Sequence, residues 1–213
     1  MNFYSMKTID ISSWNRREHF AFFSQFDEPF FSIVSEVDCT VAYRKAKEHD
    51  IPFFVWYLYQ SLQSANMVEP FRYRIIDGEV VILDEIHASS TVARKDHTFG
   101  FTFMPYRENM KAFVLEALPE INRVQQLEGL CFEEKTGRID VIHYSSIPWI
   151  NFTALTHARH NARKDSVPKI SFGQYLEKEG KLMMPVSVSV HHGLMDGYHV
   201  GQFLTKFQEL LES

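Results

Sequence analysis

Cysteine is scarce in this chain: Cys39 and Cys131 are the only two among 213 residues. That count excludes a disulfide-stapled scaffold and fits a reducing compartment, and no metal-type spacing joins the pair. No run of about 18 apolar residues occurs, so the sequence predicts no membrane span. Met1 to Asp10 lacks the charged-then-apolar pattern of a secretory signal, and the expected location is cytoplasmic. Positive charge is not in excess. The formal net charge is -5, which argues against a dedicated nucleic-acid binder. A glycine-rich phosphate loop, a dinucleotide-binding fingerprint and a Cys-x-x-Cys pair are all missing, which removes several nucleotide and zinc readings. Nothing repeats at a fixed period, and there is no linker or low-complexity tract.

What is present is a composition of 45% hydrophobic and 23% charged residues, ordinary for a soluble globular domain. Nineteen phenylalanines are more than usual and point to aromatic-rich packing or an aromatic-lined pocket. The length suits one domain over 1–213 with a sizeable core.

Along the chain, Ser12-Ser13 followed by Trp14, Phe20, Phe22 and Phe23 predicts a capped helix with an aromatic face. Phe30 to Val37 reads as a strand, and Asp38 to Thr40 as caps for a helix through Ala42 and Ala46. Pro52 opens a largely buried helix from Phe53 to Met67. Asp77-Gly78 between two apolar runs is a strong hairpin signal. His87 to Ala93 and Thr98 to Met104 alternate like strands. Asn109 to Leu127 is helical in pattern, with a break or restart expected at Pro119. Ile139 to Ser146 and Trp149 to Thr153 read as strand around Pro148, and Ile170 to Leu176 as another. These irregularly alternating elements predict an α/β fold, a two-layer sandwich in which helices cover one mixed sheet.

The chain is organised around Val186-Ser187-Val188-Ser189-Val190-His191-His192-Gly193-Leu194-Met195-Asp196-Gly197-Tyr198-His199. Alternating apolar and small polar residues predict a half-buried strand. Val200, Phe203, Leu204, Phe207, Leu210 and Leu211 then fall on one face of a helix. If the alternation persists, His192 projects to the valine face and His191 to the serine face. Three readings fit this arrangement. Two histidines can sit in a turn beside a helix-capping aspartate. A metal could be held by His191, His192, Asp196 and His199, although adjacent strand residues do not easily share one ion. The third is a general base held in one tautomer, with the aspartate fixing the loop.

The string His-His-x-x-x-Asp-Gly from His191, with its Tyr-His-Val tail, resembles the signature of the chloramphenicol acetyltransferase family. Trp14-Asn15-Arg16-Arg17-Glu18-His19-Phe20 is similar to an N-terminal segment of that family, and Tyr144 to Trp149 to a segment with a serine three residues before Pro-Trp. The resemblance spans nearly the whole chain. It implies an acetyl-CoA-dependent O-acetyltransferase acting on a hydroxyl acceptor, chloramphenicol above all, as in antibiotic resistance. Transfer would be direct. His192 would be the general base, Ser145 would stabilise the oxyanion, and Ser171 would hold an oxyanion-linked water. Arg16 would pair with Asp196. Trp149 and Tyr175 would line the coenzyme A channel, no metal would be needed, and a homotrimer would place active sites between subunits. Neither nucleic acid nor membrane is an expected partner.

Two positions depart from the family pattern. Phe23 stands where the antibiotic enzymes commonly carry a tyrosine. The segment Thr153 to Lys164 is basic through His157, Arg159, His160, Arg163 and Lys164, where drug-acetylating members are mostly apolar. It reads as a solvated ridge or as a changed acceptor site for a polar or anionic alcohol. A same-fold acyltransferase with another acceptor, and a non-catalytic trimeric binding protein, therefore stand beside the main reading.

Overall fold

The computed structural model describes residues 5–159 and 165–213. In chain order the elements are β1 (Met6–Thr8), α1 (Arg17–Phe23), β2 (Phe30–Asp38), α2 (Thr40–Glu48), α3 (Phe53–Met67) and a 3-10 turn (Glu69–Arg72). Next come β3 (Tyr73–Ile76), β4 (Glu79–Leu83), β5 (His87–Ala93), β6 (Phe99–Met104) and α4 (Met110–Gln126). The chain closes with β7 (Val141–Ile147), β8 (Lys169–Gly173), β9 (Leu176–Lys178), β10 (Lys181–His191) and α5 (Gly197–Glu212).

The large sheet runs β2-β10-β8-β7-β5-β6, with β9 also paired to β10. Its β5–β7 and β7–β8 pairs are parallel and the others antiparallel, so the sheet is mixed. A second sheet joins β1, β4 and β3. The alternation in β10 decides what each face of the large sheet does. Val186, Val188 and Val190 are fully buried, in one cluster with Ile170, Phe172, Ile142, Leu58 and Leu62 of α3, and Phe203 and Phe207 of α5. Each such side chain removed from water contributes roughly 2 kcal/mol. The opposite face carries Ser187, Ser189 and His191, and the register partners of the two serines in β8 and then β7, Ser171 and Ser145, Lys169 and His143, continue that polar character.

Arg74 ties the two sheets together. It is fully buried and donates to the carbonyls of Ile139 at 2.5 Å, Phe71 at 2.8 Å, Tyr73 at 2.6 Å and Val141 at 2.7 Å. Burial pulls its pKa down to about 9, which still leaves a cation at neutral pH, where four carbonyls replace its water.

Several local expectations are corrected. Helix α1 begins at Arg17 without a side-chain cap, because Ser12 and Ser13 close a turn on the Asp10 carboxylate instead. Helix α4 continues through Pro119. That residue is exposed, so the missing N–H and the ring fall on the solvent side, where a helix bends most easily. Trp149 to Thr153 is not a strand. The chain turns after Ile147, with Ile150 N donating to Ile147 O at 3.3 Å. Ile170 to Leu176 is split, since Gln174 leaves the ladder to donate to Ile150 O at 2.8 Å. The Asp77-Gly78 hairpin forms as expected, both residues having positive φ, 51° and 87°, as its two-residue turn requires.

Candidate active site

The period-2 pattern of β10 separates the two histidines. His191 is buried beside the serine face. Its ring lies edge-on to Phe30, and its Nδ1 accepts the Gly193 N–H at 3.1 Å. Burial pushes its pKa down to about 4, so it is a neutral acceptor that shapes the turn. His192 is half-buried on the other side. Its ring stacks on Phe23 with centroids 3.9 Å apart and planes at 5°, and it leans on Phe31 at 4.6 Å. Phe31 is the register partner of Val190, which places His192 at the rim of the apolar face. Its Nδ1 is sealed off without a partner among the described residues, leaving Nε2 as the outward-facing nitrogen. The two rings therefore cannot share one metal ion.

The loop after the histidines is held by charge. Arg16 is nearly buried and donates through Nη1 to Asp196 Oδ2 at 2.6 Å and through Nη2 to the His192 carbonyl at 3.1 Å. One guanidinium thus fixes both ends of the turn. Asp196 is also the N-cap of α5, where its side chain accepts from Tyr198 N at 3.0 Å. His199 completes a capping box by accepting the Asp196 N–H at Nδ1, 3.1 Å away. Capping and ion pairing are thus both true of this aspartate.

Burial opposes ionisation of Asp196, but the hydrogen bond and charge of Arg16, with the Tyr198 N–H, outweigh it. Its carboxyl is held below the usual 3.8. A carboxyl depressed in the folded state contributes stability that is complete above its unfolded pKa and lost as pH falls through the folded one. Asp196→Asn should therefore lower stability at pH 7 by roughly 2 kcal/mol, between the values for exposed and buried pairs. The gap between wild type and variant should close below about pH 4. Thermal melts across that range check it, and a gap that persists in acid would mean the pair is not its source.

A row of serines crosses the polar face of the sheet. Ser145 of β7 is the register partner of Ser171 in β8, and Ser171 that of Ser187 in β10. Ser145 is half-buried, and no hydrogen bond holds its hydroxyl among the described residues. Ser146 points to the helices instead and shares a 2.6 Å hydrogen bond with Tyr57. Ser171 and Ser187 are fully buried, and neither hydroxyl has a partner among the described residues. The structure thus brings Ser145 and Ser171 together, and separately Arg16, Asp196 and His192. It does not bring the two groups together within one chain. Two strand spacings and five residues along β10 separate Ser145 from His192 by roughly 19 Å, and the two side chains lie on opposite faces.

At the far end of the sheet, Trp149 is 70% exposed. Tyr175 packs on Tyr43 at 5.4 Å and Phe53 at 5.8 Å between ring centroids. The tyrosines share a hydrogen bond that, with burial, pushes Tyr175 up to about 12. Of the basic segment, Arg159 lies over the polar sheet face and His157 is half-buried, while His160, Arg163 and Lys164 lie outside the described residues. Arg159 bonds Ser189 Oγ at 2.9 Å, pairs with Glu28 at 3.0 Å and stacks its guanidinium 3.4 Å above the Phe30 ring. Sequence reasoning gave no role to Ser187, Phe31 or the His199 box. Strand register and loop closure create those contacts, and the sequence signals neither directly.

The family model for chloramphenicol acetyltransferase matches residues 1–208. The chain belongs to the chloramphenicol acetyltransferase family. It is 28% identical over 206 residues to chloramphenicol acetyltransferase 3 of Escherichia coli, covering 96% of each chain. It is 31% identical over 205 residues to a chloramphenicol acetyltransferase of Clostridium perfringens, covering 95% of this chain and 93% of that one. A solved chloramphenicol acetyltransferase structure superposes with a TM-score of 0.90 at 32% identity, covering 97% of this chain and all of the other. The mixed sheet with its helical layer is therefore the chloramphenicol acetyltransferase fold.

Proposed function

We propose that this family member transfers the acetyl group of acetyl-CoA directly to a hydroxyl of chloramphenicol or a related alcohol, with no acyl-enzyme. The observation that carries the reading is the Arg16 guanidinium joined to both the Asp196 carboxylate and the His192 carbonyl, in a chain matched by the family over 1–208. This device spends a charge on orienting one imidazole, which a general base needs and a passive binding protein does not.

In the proposed step, His192 Nε2 takes the acceptor hydroxyl proton as the oxygen attacks the thioester carbonyl. The carbonyl oxygen becomes an oxyanion, to which Ser145 donates, helped by a water on Ser171. When the intermediate collapses the C–S bond breaks, and the proton on His192 passes to the departing CoA sulfur. A single oxyanion donor of this kind is worth ~3 kcal/mol, or ~100-fold in rate. Exposed Trp149 and the Tyr43–Tyr175 pair offer aromatic surface for the coenzyme at the end of β7 and β8. Because His192 and Ser145 do not meet in one chain, the complete site is assembled between subunits, in a homotrimer.

The direct test is release of free CoA thiol from acetyl-CoA with and without chloramphenicol. Drug-dependent release supports both chemistry and acceptor. Release driven only by other alcohols keeps the chemistry and changes the acceptor. Silence across a broad alcohol panel would overturn the enzymatic reading in favour of a binding protein.

A further inference from the structure

The turn after His192 is held amide by amide, and histidines accept at both of its ends. The His192 N–H donates to Pro29 O at 2.8 Å. The Gly193 N–H donates to His191 Nδ1 at 3.1 Å, and the Leu194 and Met195 N–H groups share the His191 carbonyl at 3.0 and 3.1 Å. The Asp196 N–H closes the turn on His199 Nδ1 at 3.1 Å. An amide N–H can only donate, so Nδ1 of both rings carries a lone pair and each ring keeps its proton on Nε2. Protonation of either Nδ1 sets N–H against N–H and removes one tie.

The two rings differ in what else they meet. His191 is buried against Phe30, and burial pushes its pKa down to about 4, so it stays an acceptor in mild acid. His199 sits in the first turn of α5 with 17% of its side chain exposed, within reach of solvent protons. Its Nδ1 also lies 3.0 Å from Asp196 Oδ1. One nitrogen thus faces a donor and an acceptor that require opposite states of it. Among the described residues, the charged groups that bear on the ring are Asp196 and Arg16, and the Tyr198 ring lies edge-on at 5.5 Å. Burial, with the Arg16 charge, outweighs the pull of the Asp196 carboxylate and holds the His199 pKa below the ordinary histidine value. The ring is therefore neutral near pH 7 and charges only in acid.

What His199 holds is mechanically joined to the base. Asp196 shares the Arg16 guanidinium with the His192 carbonyl, so a shift of the Asp196 backbone reaches His192 both through the short turn and through Arg16. A misplacement of about 1 Å at a reacting group can lower a rate about 100-fold. We propose that His199 is a positioning residue for acetyl transfer: its unprotonated Nδ1 fixes the Asp196 end of the turn, and thereby the direction of the His192 ring. Protonation of His199 in acid releases that hold. This rests on the acetyl-transfer reading above, in which His192 is the base.

The test is thiol release from acetyl-CoA with chloramphenicol, or with the fastest alcohol of the panel if the drug is not turned over. It is run from about pH 5 to about pH 8 in wild type, His199→Gln and His199→Phe. Glutamine at the third helical position is an ordinary capping-box partner, an acceptor that does not titrate, whereas phenylalanine keeps a ring and loses the acceptor. At about pH 7.5, His199→Phe should lose about tenfold in kcat with both KM values unchanged, and His199→Gln should keep most of the activity. Protonation of His192 gives all three proteins an acid limb of one proton, and His199 adds a second in wild type alone. At about pH 5 wild type should therefore have lost about tenfold more of its neutral-pH activity than His199→Gln. The Asp196 carboxyl, held below 3.8, and His191, at about 4, do not titrate there and cannot produce the difference. The shape of a profile does not depend on how much of a preparation is folded, so the comparison stands even for a variant that folds poorly. Parallel acid limbs in wild type and His199→Gln overturn the proposal, and so does a His199→Gln protein as slow as His199→Phe near neutral pH. Either result leaves acetyl transfer intact. No release by wild type with any alcohol overturns the acetyl-transfer reading, and the positioning role with it.

Discussion

Replacing His192 by alanine should reduce acetyl transfer at least about a thousandfold while leaving the protein folded. The side chain is half-buried at the end of β10, and its contacts are the faces of Phe23 and Phe31. The parts of His192 that hold the fold are main-chain atoms: its N–H donates to Pro29 O at 2.8 Å and its carbonyl accepts from Arg16 at 3.1 Å. Alanine keeps both. The expected stability change is therefore small, about 1 kcal/mol from lost ring packing. His191→Ala supplies the contrast. It removes a buried ring and the acceptor of the Gly193 N–H, so its first effect should be on stability. Thermal melts alongside thiol-release rates separate the two histidines. A folded His192→Ala protein at full activity would remove the general base from the mechanism.

The contrast between adjacent histidines also shows what was legible before the structure. Period-2 alternation sends His191 and His192 to different faces, and the structure places them so. Helix α3 and the Asp77-Gly78 hairpin were equally plain, because a buried apolar run and a two-residue turn are local facts. Errors came where a competing interaction or solvent exposure outvoted the local signal that was read. Ser12 and Ser13 found Asp10 instead of a helix terminus, and Pro119 stayed inside α4 because its face is exposed. The site followed the same division. Arg16, Asp196, Ser145 and Ser171 were nameable from motif resemblance, and the Arg16–Asp196 pair is present at 2.6 Å. The stacking of Phe23 on His192 was not legible, since helix α1 and the end of β10 meet only after folding. The alignment of Ser187 with Ser171 and Ser145 depends on strand register, a property of three segments far apart in sequence.

Register also yields the prediction that most sharply tests the assembled site. Ser145→Ala removes the proposed oxyanion donor and should by itself lower the rate ~100-fold. Its hydroxyl holds no partner among the described residues and its neighbours are unchanged, so the variant should fold like wild type. Ser145 and His192 lie roughly 19 Å apart on opposite faces of one chain. If each active site takes His192 from one subunit and Ser145 from the next, a Ser145→Ala chain and a His192→Ala chain can complement one another. In a cyclic trimer every mixed assembly contains one interface where the intact histidine faces the intact serine. With equal amounts of the two chains, about three quarters of trimers are mixed and about a quarter of all sites are whole. Co-expression of the two inactive variants, with different tags to isolate mixed oligomers, should thus restore the isolated mixed oligomers to about a third of wild-type activity. Either variant alone should stay near its residual rate. If the isolated mixed oligomers are no more active than their parents, the two residues do not serve one site. If light scattering finds only monomers, the shared site has no means to form, and the reaction must be completed within one chain.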